Sequence, residues 1–199
     1  MSTARIAIAF HSGHGHTARQ AAAVARGARS AEGAEVHQLD VTDQGPDFWD
    51  ILDGADAIVF GAPTYMGSAS AEFQRFAEQS ATAWSTQAWQ DKFAAGFTNS
   101  AGVSGDKLNT LQNFAILAAQ HGMHWISVGL PPGWLYSREG SVEDLNRLGG
   151  FLGAMAQSPS DAPADAAPSE ADLRTAEHLG RRVAETVLRS RRPAVLVTG

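Results

Sequence analysis

The stretch Ala4-Arg5-Ile6-Ala7-Ile8-Ala9-Phe10-His11-Ser12-Gly13-His14-Gly15-His16-Thr17 decides the fold. Its first seven residues are apolar apart from Arg5, a run that suits a strand covered on both faces, as in a parallel sheet. A loop of Gly, His, Ser and Thr follows. Then Ala21, Val24, Ala25 and Ala28 recur at helical spacing. A strand that runs through such a loop into a helix places free N–H groups, and the positive end of the helix dipole, beside the loop. Gly13 and Gly15 permit close backbone approach, while Ser12 and Thr17 supply hydroxyl donors. The loop has no Lys, which argues against a triphosphate site of the Walker type and for a phosphate monoester.

The rest of the chain repeats the pattern. Glu35 to Leu39 reads as a second strand, Asp56 to Phe60 as a third closed by Gly61, Lys92 to Phe97 as a fourth and Met123 to Val128 as a fifth. Ala69 to Ala81 and Asp106 to His121 read as helices, the latter ended by Gly122. A long last helix starts at Ser169, with an apolar stripe of Leu173, Ala176, Gly180, Val183 and Val187 and a capping box completed by Asp172. Strands alternating with helices imply a five-stranded, doubly wound parallel α/β sheet with right-handed crossovers.

Residues 129–168, rich in Gly, Pro, Ser and Ala, form an insertion expected between strand five and the last helix. Trp134, Leu135, Tyr136, Phe151, Leu152 and Met155 favour docking of its first part; residues 158–167 read as mobile. A single domain over residues 1–190 and a flexible tail over 191–199 are expected.

Composition narrows the function. The 199 residues include 44% hydrophobic ones, too many for wholesale disorder. A net charge of -6 argues against nucleic acid as the main partner. With no Cys there is no disulfide, zinc–thiolate site, cysteine-ligated cluster or cysteine nucleophile. No apolar run approaches the ~18 residues that span a bilayer. Strand-like sequence from Arg5 leaves no space for a signal peptide, so a cytoplasmic location is expected. His11, His14 and His16 lack a clear fourth ligand, and no metal site is assigned.

Ligands of open parallel sheets bind outside the carboxyl ends of the strands. Three such ends carry small and hydroxyl residues: Ser12 to Thr17, then Pro63-Thr64-Tyr65-Met66-Gly67, then Asn99-Ser100-Ala101-Gly102-Val103-Ser104. The first loop alone leaves a rival open. Gly13-x-Gly15-x-x-Ala18 also fits the dinucleotide fingerprint, with Asp40 near the offset of a ribose-binding acid.

Taken together, the three loops resemble a known family. Ser12 to Thr17 is similar to the flavodoxin FMN-phosphate loop. Gly61-Ala-Pro-Thr-Tyr-Met-Gly67 followed by Phe73 and Phe76, the Trp84 region, Phe97 to Gly105 and Gln120-His121-Gly122-Met123 resemble the WrbA-type NAD(P)H:quinone oxidoreductases and the related NADPH-dependent FMN reductases. The resemblance covers roughly residues 4–130 and, more loosely, the last helix. It implies that Ser12, Gly13, His14, Gly15, His16 and Thr17 hold FMN phosphate, with His14 also near the nicotinamide. It implies that Pro63, Thr64, Tyr65, Met66 and Gly67 flank the isoalloxazine. Asn99, Ser100, Ala101, Gly102, Val103 and Ser104 would contact ribityl and ring atoms.

The same resemblance places His121 beside the flavin of a neighbouring subunit and Trp84 in the substrate pocket. It implies a homotetramer, or at least a dimer, that moves hydride from NAD(P)H through FMN to quinones with no catalytic side chain. Two features depart from the family: Ala101, Val103 and Ser104 stand where it is richer in Gly, and residues 129–168 match poorly. Within the latter, Asn146-Arg147-Leu148-Gly149-Gly150 is similar to related flavin reductases. The alternatives are a flavodoxin-type electron carrier without NAD(P)H activity and an NAD(P)-binding dehydrogenase domain.

Overall fold

The computed structural model describes residues 3–134 and 137–191. Strand β1 (Ala4–Phe10) leads through the first loop into α1 (His16–Arg29). Then come β2 (Ala34–Asp40), α2 (Phe48–Gly54), β3 (Ala57–Tyr65), β4 (Ser68–Ala69), α3 (Ala71–Gln79), α4 (Ala81–Ser85) and β5 (Phe93–Ser100). The chain ends with α5 (Lys107–Gln120), β6 (His124–Trp125), β7 (Ala154–Gln157) and α6 (Glu170–Ser190). The main sheet is parallel, in the order β2-β1-β3-β5-β6, with β7 also paired to β5 and β4 turned back antiparallel on β3.

The apolar run of β1 has the predicted cause. Ile6 and Ile8 pack against α1 and α6, with Val24, Leu179 and Val183. Ala7 and Ala9 face the opposite layer, where Phe60, Phe73, Phe76, Trp89 and Phe114 pack together. The predicted stripe of α6 lies on α1, and small residues let the two backbones approach. A Cβ on Gly27 would meet the backbone of Glu177, and one on Gly180 that of Val24. Ser169 caps α6 by accepting from the Asp172 N–H. Asp172 does not complete the box, because its carboxylate binds Arg147 and the Gln157 N–H instead.

The inserted segment lies elsewhere than its composition suggests. It interrupts the fifth strand instead of following it. His124 and Trp125 pair with Phe93 and Ala94, whereas Ala154 to Gln157 pair with Phe97 to Ser100. The fifth position in the sheet is thus filled by two short strands in line, β6 and β7, with residues 126–153 looped out between them. Leu152 and Met155 dock on the core, but Phe151 stays exposed. Leu135, Tyr136 and residues 192–199 lie outside the described residues.

Three smaller differences have local causes. The expected helix from Ala69 begins two residues later and breaks at Ser80. Met66 and Gly67 both have positive φ and form a two-residue hairpin turn that draws Ser68 and Ala69 into β4. Helix α2 has too few residues for a periodic signal, and the sequence pattern assigns no element there. Residues 158–168 are not a free loop: the Ser158 N–H donates to Ser100 O, and Ala162 O accepts from His16 Nε2 at 3.0 Å.

Candidate functional site

The carboxyl ends of β1, β3 and β5 stand side by side and open into a cleft of about 530 Å³. Gly15 sits before α1 in the left-handed region, at φ 85°, where glycine is favoured. The first intrahelical bond runs from the Arg19 N–H to Gly15 O, and Ser12 Oγ accepts from the Ala18 N–H at 3.0 Å. No cap side chain sits on Gly15, and the first turn has no acidic residue. Among the described residues this leaves the N–H groups of His16 and Thr17 free at the positive end of the helix. Thr17, His16 and His14 line the cleft, His14 at its exposed rim.

Tyr65 closes the gap between the first two loops. Its hydroxyl lies where a Cβ on Gly13 would come within 2.6 Å, and its ring meets His14 edge-on. Burial pushes the Tyr65 phenol up from its ordinary value, so it remains a neutral donor at physiological pH. Pro63, Thr64, Tyr65 and Met66 line the cleft, Met66 fully exposed at the turn. Gly67 is outside the lining; its carbonyl accepts from Asn109 Nδ2 at 2.7 Å.

The Thr64 hydroxyl is committed inside. Thr98 Oγ1 donates its one proton to Ala62 O, so it accepts from Thr64, which in turn accepts from Thr110. This chain, with links of 2.7–2.8 Å, locks β3, β5 and α5 together beneath the cleft. Thr64 therefore meets the cleft through its backbone and methyl group.

Strand β5 runs on through Asn99 and Ser100, further than its local sequence indicates, because β7 pairs with both. Asn99, Ser100 and Ala101 line the cleft, and Ser158 Oγ donates to Asn99 Oδ1 at 3.0 Å. Val103 and Ser104 turn the other way, into a hollow of about 990 Å³ beside Leu108 and Phe151. Gly102 lies between the two. Ser158 and Ser160 also line the cleft, and the sequence pattern alone did not point to them. Ala154-Met155-Ala156-Gln157 is followed by Ser158-Pro159-Ser160, small and hydroxyl residues like those of the other three loops, but only the pairing of β7 with β5 makes this a strand end.

Several residues singled out in the sequence lie elsewhere. Asp40 Oδ1 accepts from the Thr42 N–H and hydroxyl, and Asp40 is absent from the cleft lining. His11 bonds Ser70 Oγ, and among the described residues no three His, Asp or Glu side chains cluster as a metal site would. Trp84 and His121 belong to the opposite end of the sheet. Helix α5 leaves the cleft at Lys107 and runs 14 residues, about 21 Å, before reaching His121. Trp84 is half-exposed there.

His121 is 2% exposed, enclosed within its own chain. Its ring packs on Trp89 at 4.3 Å. The Ser80 hydroxyl donates to Ala77 O and so accepts from His121 Nε2–H, leaving Nδ1 buried without a partner. Burial pushes the His121 imidazole below its ordinary value. A histidine held neutral in the fold contributes stability that is present above its unfolded pKa of about 6.5 and lost as pH falls below it. Chemical denaturation at pH 7.5 and 5.5 should show less stability at 5.5. In His121→Gln that drop should shrink; an unchanged drop would place the effect elsewhere.

A parallel sheet in this strand order, with its cleft outside the carboxyl ends, defines a flavodoxin-like protein. Residues 8–130 match the NADPH-dependent FMN reductase family, and the chain belongs to it. The chain is 44% identical to flavodoxin FldP of Pseudomonas aeruginosa over 180 residues, covering 89% of this chain and 93% of that one. It is 32% identical to an NAD(P)H dehydrogenase (quinone) of Archaeoglobus fulgidus, covering 92% and 96%. Among solved structures, the flavodoxin, WrbA-like protein of Agrobacterium tumefaciens aligns with a TM-score of 0.73 at 41% identity, covering 94% and 99%.

Proposed function

We propose that the cleft binds FMN and that the protein is an FMN-dependent oxidoreductase taking reducing equivalents from NAD(P)H and delivering them to quinones. The observation that carries this reading is the convergence of an uncapped helix N-terminus with hydroxyl-lined strand ends in one cleft. Its volume is in the range of small-molecule sites. The donor set fits a phosphate monoester: the N–H groups of His16 and Thr17 and the Thr17 hydroxyl, with no Lys or Arg in the lining. Gly13 gives the backbone its close approach. Tyr65 and Met66 on one side, and Ala101 on the other, would flank a planar ring.

Bound FMN would supply the redox chemistry, accepting a hydride equivalent from the nicotinamide and passing two electrons to the acceptor. The chain's own residues bind and orient. His14 at the rim would meet the nicotinamide nucleotide, and Ser158 and Ser160 would close the ribityl side. Trp84 would serve only the cleft of a second copy, since it lies at the far end of its own sheet; a homotetramer or dimer gives it that place. The relatives named NAD(P)H dehydrogenase (quinone), similar along more than nine-tenths of the chain, support the acceptor class. A soluble electron carrier is the second reading, favoured by the name of the 44% identical relative.

The test is flavin reconstitution followed by steady-state turnover with NADH and NADPH against a panel of quinones. A yellow FMN complex that turns over quinones is expected. Failure to bind FMN would overturn the site, whereas tight FMN binding without turnover would move the assignment to the carrier.

A further inference from the structure

Lys107 lies fully buried at the first position of α5, beneath the loop that borders the cleft. Its Nζ donates to Gly102 O at 2.5 Å and Val103 O at 3.3 Å. Gln157 Nε2 donates to the next carbonyl back, Ala101 O, at 3.0 Å. Two consecutive carbonyls are thus turned onto the ammonium, and the one before them onto the Gln157 amide. In a trans peptide the N–H points opposite to the C=O. The N–H groups of Val103 and Ser104 therefore face away from the ammonium.

A lysine is a costly residue here. Burial disfavours the ammonium, and the first turn of a helix disfavours positive charge. An apolar or amide side chain would fill the same space without those costs. We propose that Lys107 is a positioning residue for the bound flavin: it fixes the 101–104 loop with the Val103 and Ser104 N–H groups outward and holds a positive charge behind them, so that the site favours the electron-rich, reduced form of the ring. The proposal rests on the FMN reading of the cleft. Reduction adds electron density to the ring, and outward N–H dipoles backed by a cation stabilise that density more than the oxidised form.

The charged groups bearing on Lys107 are Asp172 of α6 and Arg147 of the inserted segment. Burial is the largest influence, Asp172 opposes it and Arg147 adds to it, leaving the Lys107 ammonium at a pKa of about 8. It is therefore charged at pH 7 and neutral by pH 9, so the preference for the reduced form should weaken across that interval.

The experiment measures the two-electron midpoint potential of bound FMN, relative to free FMN, from pH 6.5 to 9.5, with a chemical reductant and a reference dye. Wild type, Lys107→Gln, Lys107→Met and Lys107→Arg are compared, and titration with oxidised FMN comes first. In wild type the ratio of reduced to oxidised affinity should fall about tenfold between pH 7 and 9, equivalent to about 30 mV. Lys107→Gln, which retains N–H donors without charge, and Lys107→Met should sit at the lower value throughout. Lys107→Arg should hold the higher value without the step. Variants that bind FMN and keep the wild-type potential and profile would overturn the proposal. Should the uncharged variants not fold, a wild-type potential that simply parallels free FMN across pH 7–9 would overturn it too. Failure of wild type to bind FMN at all would instead remove the FMN reading.

Discussion

Thr17→Val should weaken FMN binding by about 10- to 150-fold and leave riboflavin binding nearly unchanged. Thr17 lies where the first loop becomes α1, buried to 2% exposure and lining the cleft. Its neighbour Ser12 accepts from the Ala18 N–H and keeps its own proton free to donate, so both hydroxyls stand at the helix start and Thr17 is the more deeply buried of the two. A hydrogen bond to a charged group contributes about 1.5–3 kcal/mol, and each ~1.4 kcal/mol is tenfold in affinity. Valine keeps the shape and removes the donor. Riboflavin has no phosphate to lose, so flavin-fluorescence titration with both ligands isolates the phosphate contribution. Equal losses for FMN and riboflavin, or no loss for either, would sink the phosphate assignment. Asp40→Asn should leave FMN affinity intact, because Asp40 is occupied with Thr42 outside the cleft lining.

Thr17 and the loop that carries it are legible in the amino-acid sequence by themselves. The β1 run reads correctly because burial on both faces removes alternation, and the loop after it is local in sequence. Features set by distant partners are not legible in this way. The four residues of β7, two of them alanine, carry almost no strand signal. Their identity as a strand comes from pairing with Phe97 to Ser100, more than fifty residues earlier. Without that pairing the insertion takes its place after the fifth strand, and Ser158 and Ser160 are lost from the site.

Side-chain direction is hidden for the same reason. Thr64 is recognisable as a hydroxyl in a ligand loop, but only Thr98 and Thr110 show that the hydroxyl is consumed inside. His121 fits its family motif by sequence, yet the packing of Trp89 decides that it is enclosed. The burial of Lys107 comes from the loop folded over it, which no local pattern around that residue signals.

The largest effect on stability is expected at Arg147. Its guanidinium makes two 2.8 Å bonds to Asp172, which is 1% exposed. The same carboxylate accepts from the Gln157 N–H at 2.9 Å, so the pair ties the inserted segment to α6 and to the end of β7. Removing one partner of a buried ion pair leaves an uncompensated charge and costs about 3–5 kcal/mol. Arg147→Leu should lower the urea midpoint accordingly, with the slope unchanged if the transition stays two-state. The double variant Arg147→Leu, Asp172→Leu should recover much of the loss, because the desolvation of the remaining carboxylate disappears with it. A loss below about 1 kcal/mol in the single variant would show the pair to be solvated and unimportant. Arg147 also holds the Lys107 ammonium down. In any Arg147 variant that still folds, the pH step in flavin potential should therefore move to higher pH.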